Sequence, residues 1–147
     1  MKNPWPEPGR YLATSLLVLL MNACAPRIQT QTLLLVVSPA AHQNSAVAVD
    51  IVSVHDSALI ALLAGLSAQE WFFQRDLMLL QYPSALAVYH LELLSGASVE
   101  QPVENQGVRA LFVFAGLPLP GIYSVRVGHI ERVRMRLGSR GMEVEAR

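Results

Sequence analysis

Cys24 is the only cysteine of the 147-residue chain, and it lies directly after an apolar run near the N-terminus. A single cysteine excludes an internal disulfide framework, so the thiol is buried, reactive or a site of attachment. Lys2 and Arg10 precede residues 12–21, an apolar run about half as long as the roughly 20 residues that span a bilayer. Positive residues followed by a short apolar segment are typical of a secretory signal. We therefore expect the protein to be exported.

The residues around Cys24 indicate which of these roles the thiol has. Ala23 immediately precedes Cys24, and this order is similar to a bacterial lipoprotein signal, in which the cysteine receives diacylglycerol and becomes the new N-terminus. Each methylene of a buried acyl chain, such as palmitate, contributes about 0.8 kcal/mol to membrane binding. Ala25 follows, where known lipoproteins carry an aspartate for inner-membrane retention, and this favours the outer membrane. The alternatives are an ordinary signal peptide that leaves Cys24 free, or an uncleaved anchor.

The net charge of the mature chain limits the classes of partner that it can bind. Cleavage before Cys24 leaves 147 − 23 = 124 residues, with nine basic and ten acidic side chains, a formal charge of −1. A nearly neutral domain does not have the electrostatic footprint of a nucleic-acid-binding protein. We therefore expect no nucleic-acid partner.

Residues that could support catalysis or metal binding are scattered. None of the four histidines is paired at metal-ligand spacing, and no second cysteine completes a zinc site: His42, His55, His90 and His129. Asp56 follows His55 and could mimic part of a catalytic triad, but helix capping explains it more simply. The chain has neither a G-x-S-x-G motif nor a glycine-rich phosphate loop. The sequence thus disfavours an enzyme and predicts no cofactor and no metal.

An arginine stripe near the C-terminus is a candidate contact surface. Arg132, Arg134 and Arg136 alternate with apolar residues. In a strand this spacing places the three arginines on one face, because successive side chains point to opposite sides. They form either a solvated outer face or a docking stripe for an acidic partner, since guanidinium groups suit carboxylates.

Three consecutive aromatic residues form a second candidate. Trp71, Phe72 and Phe73 lie about 100° apart on a helix, so they cannot all face one core. At least one is then exposed or packed under a loop. Core packing explains most of the group, and Phe73 is the candidate for a partner contact.

The elements that must position these residues are mainly strands. Residues 33–37, 46–55 and 86–94 are apolar or alternating, and further strands follow towards the C-terminus. Between the second and third strands the period changes to that of a helix, and Ser67 with Glu70 has the form of a capping box. Short strands at regular spacing predict a mainly β fold, a two-sheet β-sandwich with a two-helix insertion at about residues 57–82. The predicted division is a signal peptide (1–23), a tether (24–31) and the sandwich (32–147).

The order of these features resembles one family. An alternating strand (residues 47–52) leads into a helical insertion with Ala68, Trp71 and Phe72. A leucine-rich turn follows at residues 93–96, and a hairpin at residues 133–144 closes the chain. This arrangement is similar to the outer-membrane lipoprotein of the type VI secretion system, the TssJ or SciN family. Ser95 stands where the family often has proline, and the helical segment is longer here.

The resemblance implies a transthyretin-like sandwich that acylated Cys24 tethers to the periplasmic face of the outer membrane. There it would dock the periplasmic part of an inner-membrane secretion component, TssM, through loops between strands. The alternative hypothesis is a free-standing periplasmic lipoprotein that acts as a pilotin or a small-ligand carrier. A carrier needs a large apolar cavity, whereas an adaptor needs a solid core and exposed loops.

Overall fold

The computed structural model describes residues 27–41, 45–117 and 122–146. Cys24, the predicted signal peptide and His42 lie outside the described residues. In the described part of the chain, no helix combines the length and the apolar character needed to cross a bilayer.

The described residues form eight strands, which are β1 Thr32–Val37, β2 Ala46–Val54, β3 Leu86–Leu94, β4 Ser98–Pro102, β5 Ala110–Gly116, β6 Ser124–Val127, β7 Arg132–Gly138 and β8 Gly141–Ala146. Sheet A has the order β4-β1-β7-β8, and sheet B has the order β3-β2-β5-β6. β1 and β7 run parallel, and all other neighbouring strands are antiparallel. The predicted two-sheet sandwich is confirmed.

The core lies between the two sheets, because the period of two places apolar residues on the facing surfaces. Sheet A contributes alternate residues of its two central strands: Leu33, Leu35 and Val37 from β1, and Val133, Met135 and Leu137 from β7. Val47 and Val49 of β2 are fully buried and belong to the same cluster. Burying a valine or leucine side chain stabilises the fold by about 1.5–3 kcal/mol, so these strands carry much of the hydrophobic stabilisation.

Two helices cover the outer face of sheet B. A 3-10 turn at Ser57–Leu59 leads into α1 (Ile60–Ala64), and α2 follows at Ala68–Gln81. Asp56 caps the 3-10 turn by accepting a hydrogen bond from the Ala58 N–H at 2.9 Å. The predicted capping box is present, because the Ser67 hydroxyl accepts from the Glu70 N–H and Glu70 accepts from the Ser67 N–H.

The helical layer explains why β2 and β5 are apolar on both faces. Val52 and Val54 of β2 face away from sheet A and are nevertheless fully buried. Phe112 and Phe114 pair with Val52 and Asp50 in the register, so they share this outer face and are also buried. A strand that is apolar on both faces requires either a bulge or a second covering layer, and the structure shows the second layer.

The packed domain begins before β1. Ile28 is buried against Gly128, where a Cβ atom would lie 2.7 Å from the Ile28 Cδ1. Thr30 is fully buried, and its hydroxyl donates to the Ile130 carbonyl at 2.8 Å. Ile28 and Thr30 therefore pack against the sandwich, although the sequence assigned residues 24–31 to a tether.

Candidate interaction surfaces

Asp50 lies at the centre of a polar cluster beneath α2. Its side chain is fully buried, and the indole N–H of Trp71 donates to Asp50 Oδ2 at 2.8 Å. His90 Nδ1 lies 2.5 Å from Asp50 Oδ1. Since a carboxylate only accepts hydrogen bonds, Nδ1 is the protonated ring nitrogen in this contact. β2, β3 and α2 all contribute to the cluster, so it joins the helix to the sheet.

Arg75 completes the cluster at its solvent side. Its Nη1 lies 3.4 Å from Asp50 Oδ2, and its Nε donates to Asp76 Oδ1 at 3.2 Å. The hydrogen bond to Asp76 is the main cause that raises the pKa of Arg75 above its usual range. The Arg75 guanidinium also lies over the Phe72 ring, 6.0 Å from its centroid. The charge of Asp50 is thus compensated by groups that lie partly in solvent.

The geometry of the Asp50 cluster suits a structural clamp, that is, a set of contacts that holds α2 against sheet B. Trp71 stacks on Phe114 with ring centroids 5.0 Å apart, so its ring packs on the sheet while its N–H bonds Asp50. A buried carboxylate without partners would cost several kcal/mol, which the three donors offset. Among the residues that the structure describes, no group of three or more His, Cys, Asp and Glu side chains is arranged to hold a metal ion.

The predicted arginine stripe lies on the outer face of sheet A. Arg134 Nε and Arg136 Nη2 each lie 3.7 Å from a carboxylate oxygen of Glu145 on neighbouring β8. Arg132 is exposed, and no acidic oxygen of a described residue lies within ion-pair distance of it. The stripe therefore combines one unpaired guanidinium with two that share a single carboxylate.

Arg134 has unused hydrogen-bonding capacity. Its Nε is buried from solvent, yet it has no hydrogen-bond partner among the described residues. A shallow depression of about 160 Å³ runs along the same strand, between Arg132, Arg134 and Glu100. An incoming carboxylate could bond the two guanidinium groups, which keeps the docking interpretation of the stripe a proposal.

Phe73 lies on the solvent side of α2, with 93% of its surface exposed. Leu77 and Leu80 follow at i+4 and i+7 and are 65% and 79% exposed. These spacings place all three on one helix face. We call Phe73, Leu77 and Leu80 the apolar helix stripe. The expectation that the three aromatic residues divide between core and surface is confirmed, because Trp71 is fully buried and Phe72 is half-buried.

A cleft opens between the two sheets at the edge formed by β3 and β4. Its volume is about 390 Å³. Ile51, Tyr89 and Val103 contribute apolar surface, and His55 and Glu104 contribute polar groups. We call this feature the inter-sheet cleft. Its volume lies within the range of about 300–1,000 Å³ that is usual for ligand sites.

Sequence reasoning missed two of these features. Asp50 was assigned only to an alternating strand, although a charged residue between Val49 and Ile51 in an apolar strand signals a buried, paired carboxylate. The inter-sheet cleft combines residues from β2, β3 and the segment after β4, and no local motif marks such a juxtaposition.

Comparisons with known proteins place this architecture in a structural class. No protein-family model matches the chain, and no curated protein matches it in sequence. Solved structures with the same fold do match. The chain is similar to the type VI secretion system lipoprotein TssJ1 from Pseudomonas aeruginosa, with 14% identity and a TM-score of 0.62, over 83% of this chain and 98% of that one.

Two further structures extend the likeness. Serratia marcescens Lip, a membrane-bound component of the type VI secretion system, is 9% identical with a TM-score of 0.60, over 82% of this chain and 98% of that one. A chain of the structure described as the T6SS protein TssM C-terminal domain (869-1107) from EAEC is 15% identical with a TM-score of 0.54, over 82% and 98% of the two chains. The described domain thus has a TssJ-like β-sandwich fold, and the resemblance predicted from the sequence is confirmed at this level.

Proposed function

We propose that the protein is a lipid-anchored structural subunit of a type VI secretion system membrane complex. The observation that carries the proposal is the shared fold, which extends over about four fifths of this chain and nearly all of the secretion lipoproteins. The order of apolar run, Ala23 and Cys24 adds independent support from a part of the chain that the fold comparison does not use. The similar proteins are structural components, which supports a role without catalysis.

In this proposal acylated Cys24 holds the domain at the periplasmic face of the outer membrane. Ile28 is the first residue to pack against the sandwich, so only three residues separate the anchor from the domain. Fully extended, four peptide units span about 14 Å, which keeps the domain close to the bilayer. The partner is the periplasmic part of a TssM-like inner-membrane component, in keeping with the structures that the fold resembles.

Membrane fractionation tests the anchor. We expect Cys24→Ser to abolish acylation and to move the protein out of the outer-membrane fraction, whereas Ala25→Ser should leave both unchanged. A Cys24→Ser protein that is processed and membrane-bound like the wild type would contradict the lipid anchor.

Affinity isolation from envelope extracts tests the partner. We expect a TssM-like protein among the specific partners of the wild type. Arg132, Arg134 and Arg136 are proposed contacts for an acidic surface, and Phe73 is a proposed apolar contact. Arg134→Glu and Phe73→Ala should each reduce recovery of the partner without unfolding the domain, and recovery of no secretion component would contradict the proposal.

A small-ligand carrier is the second candidate, because the inter-sheet cleft has the volume of a ligand site. An environment-sensitive apolar dye separates the two functions. A carrier should bind the dye in the cleft and lose it when Tyr89 is replaced by arginine, whereas a structural subunit needs no such binding.

A further inference from the structure

β3 is an edge strand with no partner on one side. Its nine residues, Leu86–Leu94, pair with β2 in an unbroken register, and no other described strand pairs with it. The other three edges are shorter: β8 has six residues, β4 has five and ends at Pro102, and β6 has four. Natural sheets protect exposed edges with lysine, proline or bulges, because unpaired backbone groups can form hydrogen bonds with strands of other chains. β3 carries none of these protections.

The direction of the free backbone groups follows from the neighbouring hydrogen bonds. The His55 N–H donates to the Ala85 carbonyl at 2.8 Å, so the odd-numbered residues of β3 point their backbone groups towards β2. Val88, His90 and Glu92 then point their N–H and C=O groups away from the sheet. Spaced by two residues, they form the hydrogen-bonding edge that an added strand requires.

The inter-sheet cleft lies directly beside this edge. Tyr89 projects towards it from β3 and is 52% exposed, although it is a large aromatic residue. Ile51 and Val103 face it from β2 and from the segment after β4. A strand added to β3 would point alternate side chains into this apolar space, because side chains in a strand alternate between the two faces.

Two acidic side chains lie near the β3 edge, Glu92 and Glu104. Residues 82–108, which include β3 and β4, contain neither lysine nor arginine, and their third glutamate, Glu100, lies beside Arg132 and Arg134 on the outer face of sheet A. Glu104 lines the inter-sheet cleft, and Glu92 lies on the opposite face of β3, 66% exposed, with His90 Nε2 at 3.6 Å. Residues 109–147, by contrast, contain seven arginines and three glutamates. The β3 edge is therefore complementary to a cationic segment.

We propose that β3 and the inter-sheet cleft bind an extended segment of a partner protein in which apolar and basic residues alternate. The segment adds a fifth strand to sheet B through the backbone groups of Val88, His90 and Glu92. Its apolar side chains enter the cleft beside Tyr89, and its basic side chains point to the opposite face of the sheet, where Glu92 lies. Backbone bonds supply affinity in this mode of recognition, and the pocket and the charges supply specificity.

This inference goes beyond the proposed function and does not depend on it, since its test needs no secretion protein. The competing occupants are a second copy of the chain, through its own β3 or β8 edge, and a small apolar ligand in the cleft. β8 carries Glu143 and Glu145 and no arginine, so its charge does not complement that of Glu92. The unpaired backbone of β3 and the charge of Glu92 favour the cationic segment, because neither feature would contribute to holding a small apolar molecule.

The probe is a labelled seven-residue peptide that alternates arginine and valine and is blocked at both ends. Binding to the purified full-length chain in nonionic detergent is measured by fluorescence anisotropy, and hydrogen–deuterium exchange locates the site. We expect slower exchange across β3, and an affinity that falls as salt rises, because exposed charges are screened. One control peptide has glutamate at each arginine position, and another has methylated alternate backbone nitrogens. Both controls should fail to bind.

Two sets of variants test the edge and the charge separately. Val88→Pro removes an outward N–H while sparing the bonds to β2, and should abolish binding. Glu92→Arg should weaken binding about tenfold, whereas the matched exposed variant Glu131→Arg should change it less than twofold. If Val88→Pro does not fold, the methylated peptide still tests the backbone bonds.

Three results would overturn the proposal. The methylated or acidic peptide could bind as well as the probe. Exchange could slow at β8 or α2 and not at β3. The chain alone could self-associate with β3 already protected, which would identify a second copy as the occupant.

Discussion

The outer faces of the two sheets have opposite surroundings: the central strands of sheet B are buried on both faces, whereas those of sheet A alternate between buried and more exposed residues. The outer face of sheet B lies beneath α1 and α2 and holds Asp50 fully buried among Trp71, His90 and Arg75. The outer face of sheet A has no covering layer in the described residues, and its charged groups, Arg134 and Arg136, share Glu145 partly in solvent. The buried charge on the covered face therefore depends on its partners, whereas the charges on the open face stay in contact with water.

The physical reason is the cost of removing a charge from water. A buried carboxylate must be matched by donors, and the loss of one donor leaves an expensive unsatisfied group. Exposed ion pairs exchange with water and contribute about 0–1 kcal/mol. Substitutions on the covered face should therefore lower the free energy of unfolding several-fold more than substitutions on the open face. The expected losses are given from the largest to the smallest.

Trp71→Ala should have the largest effect. It removes the stack on Phe114 and the donor to Asp50, and a buried tryptophan cut to alanine costs about 3–5 kcal/mol of unfolding free energy. Urea unfolding followed by circular dichroism measures the loss. Phe73→Ala, on the same helix but almost fully exposed, is the matched control and should leave the midpoint nearly unchanged. Equal losses of unfolding free energy in Trp71→Ala and Phe73→Ala would contradict the proposed difference between covered and open residues.

Asp50→Asn should destabilise the domain by about 1–3 kcal/mol. The substitution preserves volume but replaces a charged acceptor, which bonds Trp71, His90 and Arg75, with an amide that cannot satisfy all three. Thermal unfolding measures the loss, with Asp56→Asn as a control, because asparagine caps a helix about as well as aspartate. An unchanged melting temperature for Asp50→Asn would show that the cluster is not a clamp.

Ser67→Ala should cost about 1 kcal/mol, because it removes the acceptor for the Glu70 N–H at the start of α2. The lost stability should be confined to the helices that cover sheet B, and the two sheets should stay folded. Hydrogen exchange would detect it as faster opening of α2 with unchanged protection of β2. Faster exchange in β2 as well would indicate that the helices and the sheet unfold as one unit.

Glu70 makes the same helix end sensitive to acid. The hydrogen bond from the Ser67 N–H, and next that from its hydroxyl, lower the pKa of Glu70 below its usual value of 4.5. Its contribution to stability is therefore present above pH 4.5 and is lost as the pH falls through the lower folded-state pKa. Glu70→Gln should flatten this part of the stability–pH curve, and a curve with the wild-type slope would contradict the assignment.

Arg134→Ala should have the smallest effect, about 0–1 kcal/mol, because its partner Glu145 is 3.7 Å away and 42% exposed. Its effect should instead appear in partner recovery from envelope extracts. A stability loss comparable to that of Asp50→Asn, with normal partner recovery, would reverse the roles assigned to the two faces.

Much of the fold could be predicted because local patterns and tertiary packing agree. α2 begins at the predicted capping box and ends before Pro83, and β3 occupies the predicted residues. The two apolar faces of β2 were ambiguous, because local sequence cannot distinguish a bulge from a covering layer. Likewise, Ile28 and Thr30 look like tether residues, and only Gly128 and Ile130, about 100 residues later, bring them into the domain.

The candidate surfaces were less predictable. Spacing alone placed Arg132, Arg134 and Arg136 on one strand face, and helix geometry separated Phe73 from Trp71. The pairing of two arginines with Glu145 depends on the register of β7 and β8. The free edge of β3 depends on strand order, which local sequence does not encode.

By itself the sequence determined the elements and their faces, since helix caps and the periods of 2 and 3.6 arise from interactions within a few residues. It also supplied the order of apolar run, Ala23 and Cys24 on which the proposed anchor rests. The tertiary structure alone decided which strands lie at the edges, which sheet is covered by the helices and which charged groups are buried away from water. Those outcomes depend on contacts between residues far apart in the chain, and they separate the buried clamp at Asp50 from the open edge at β3.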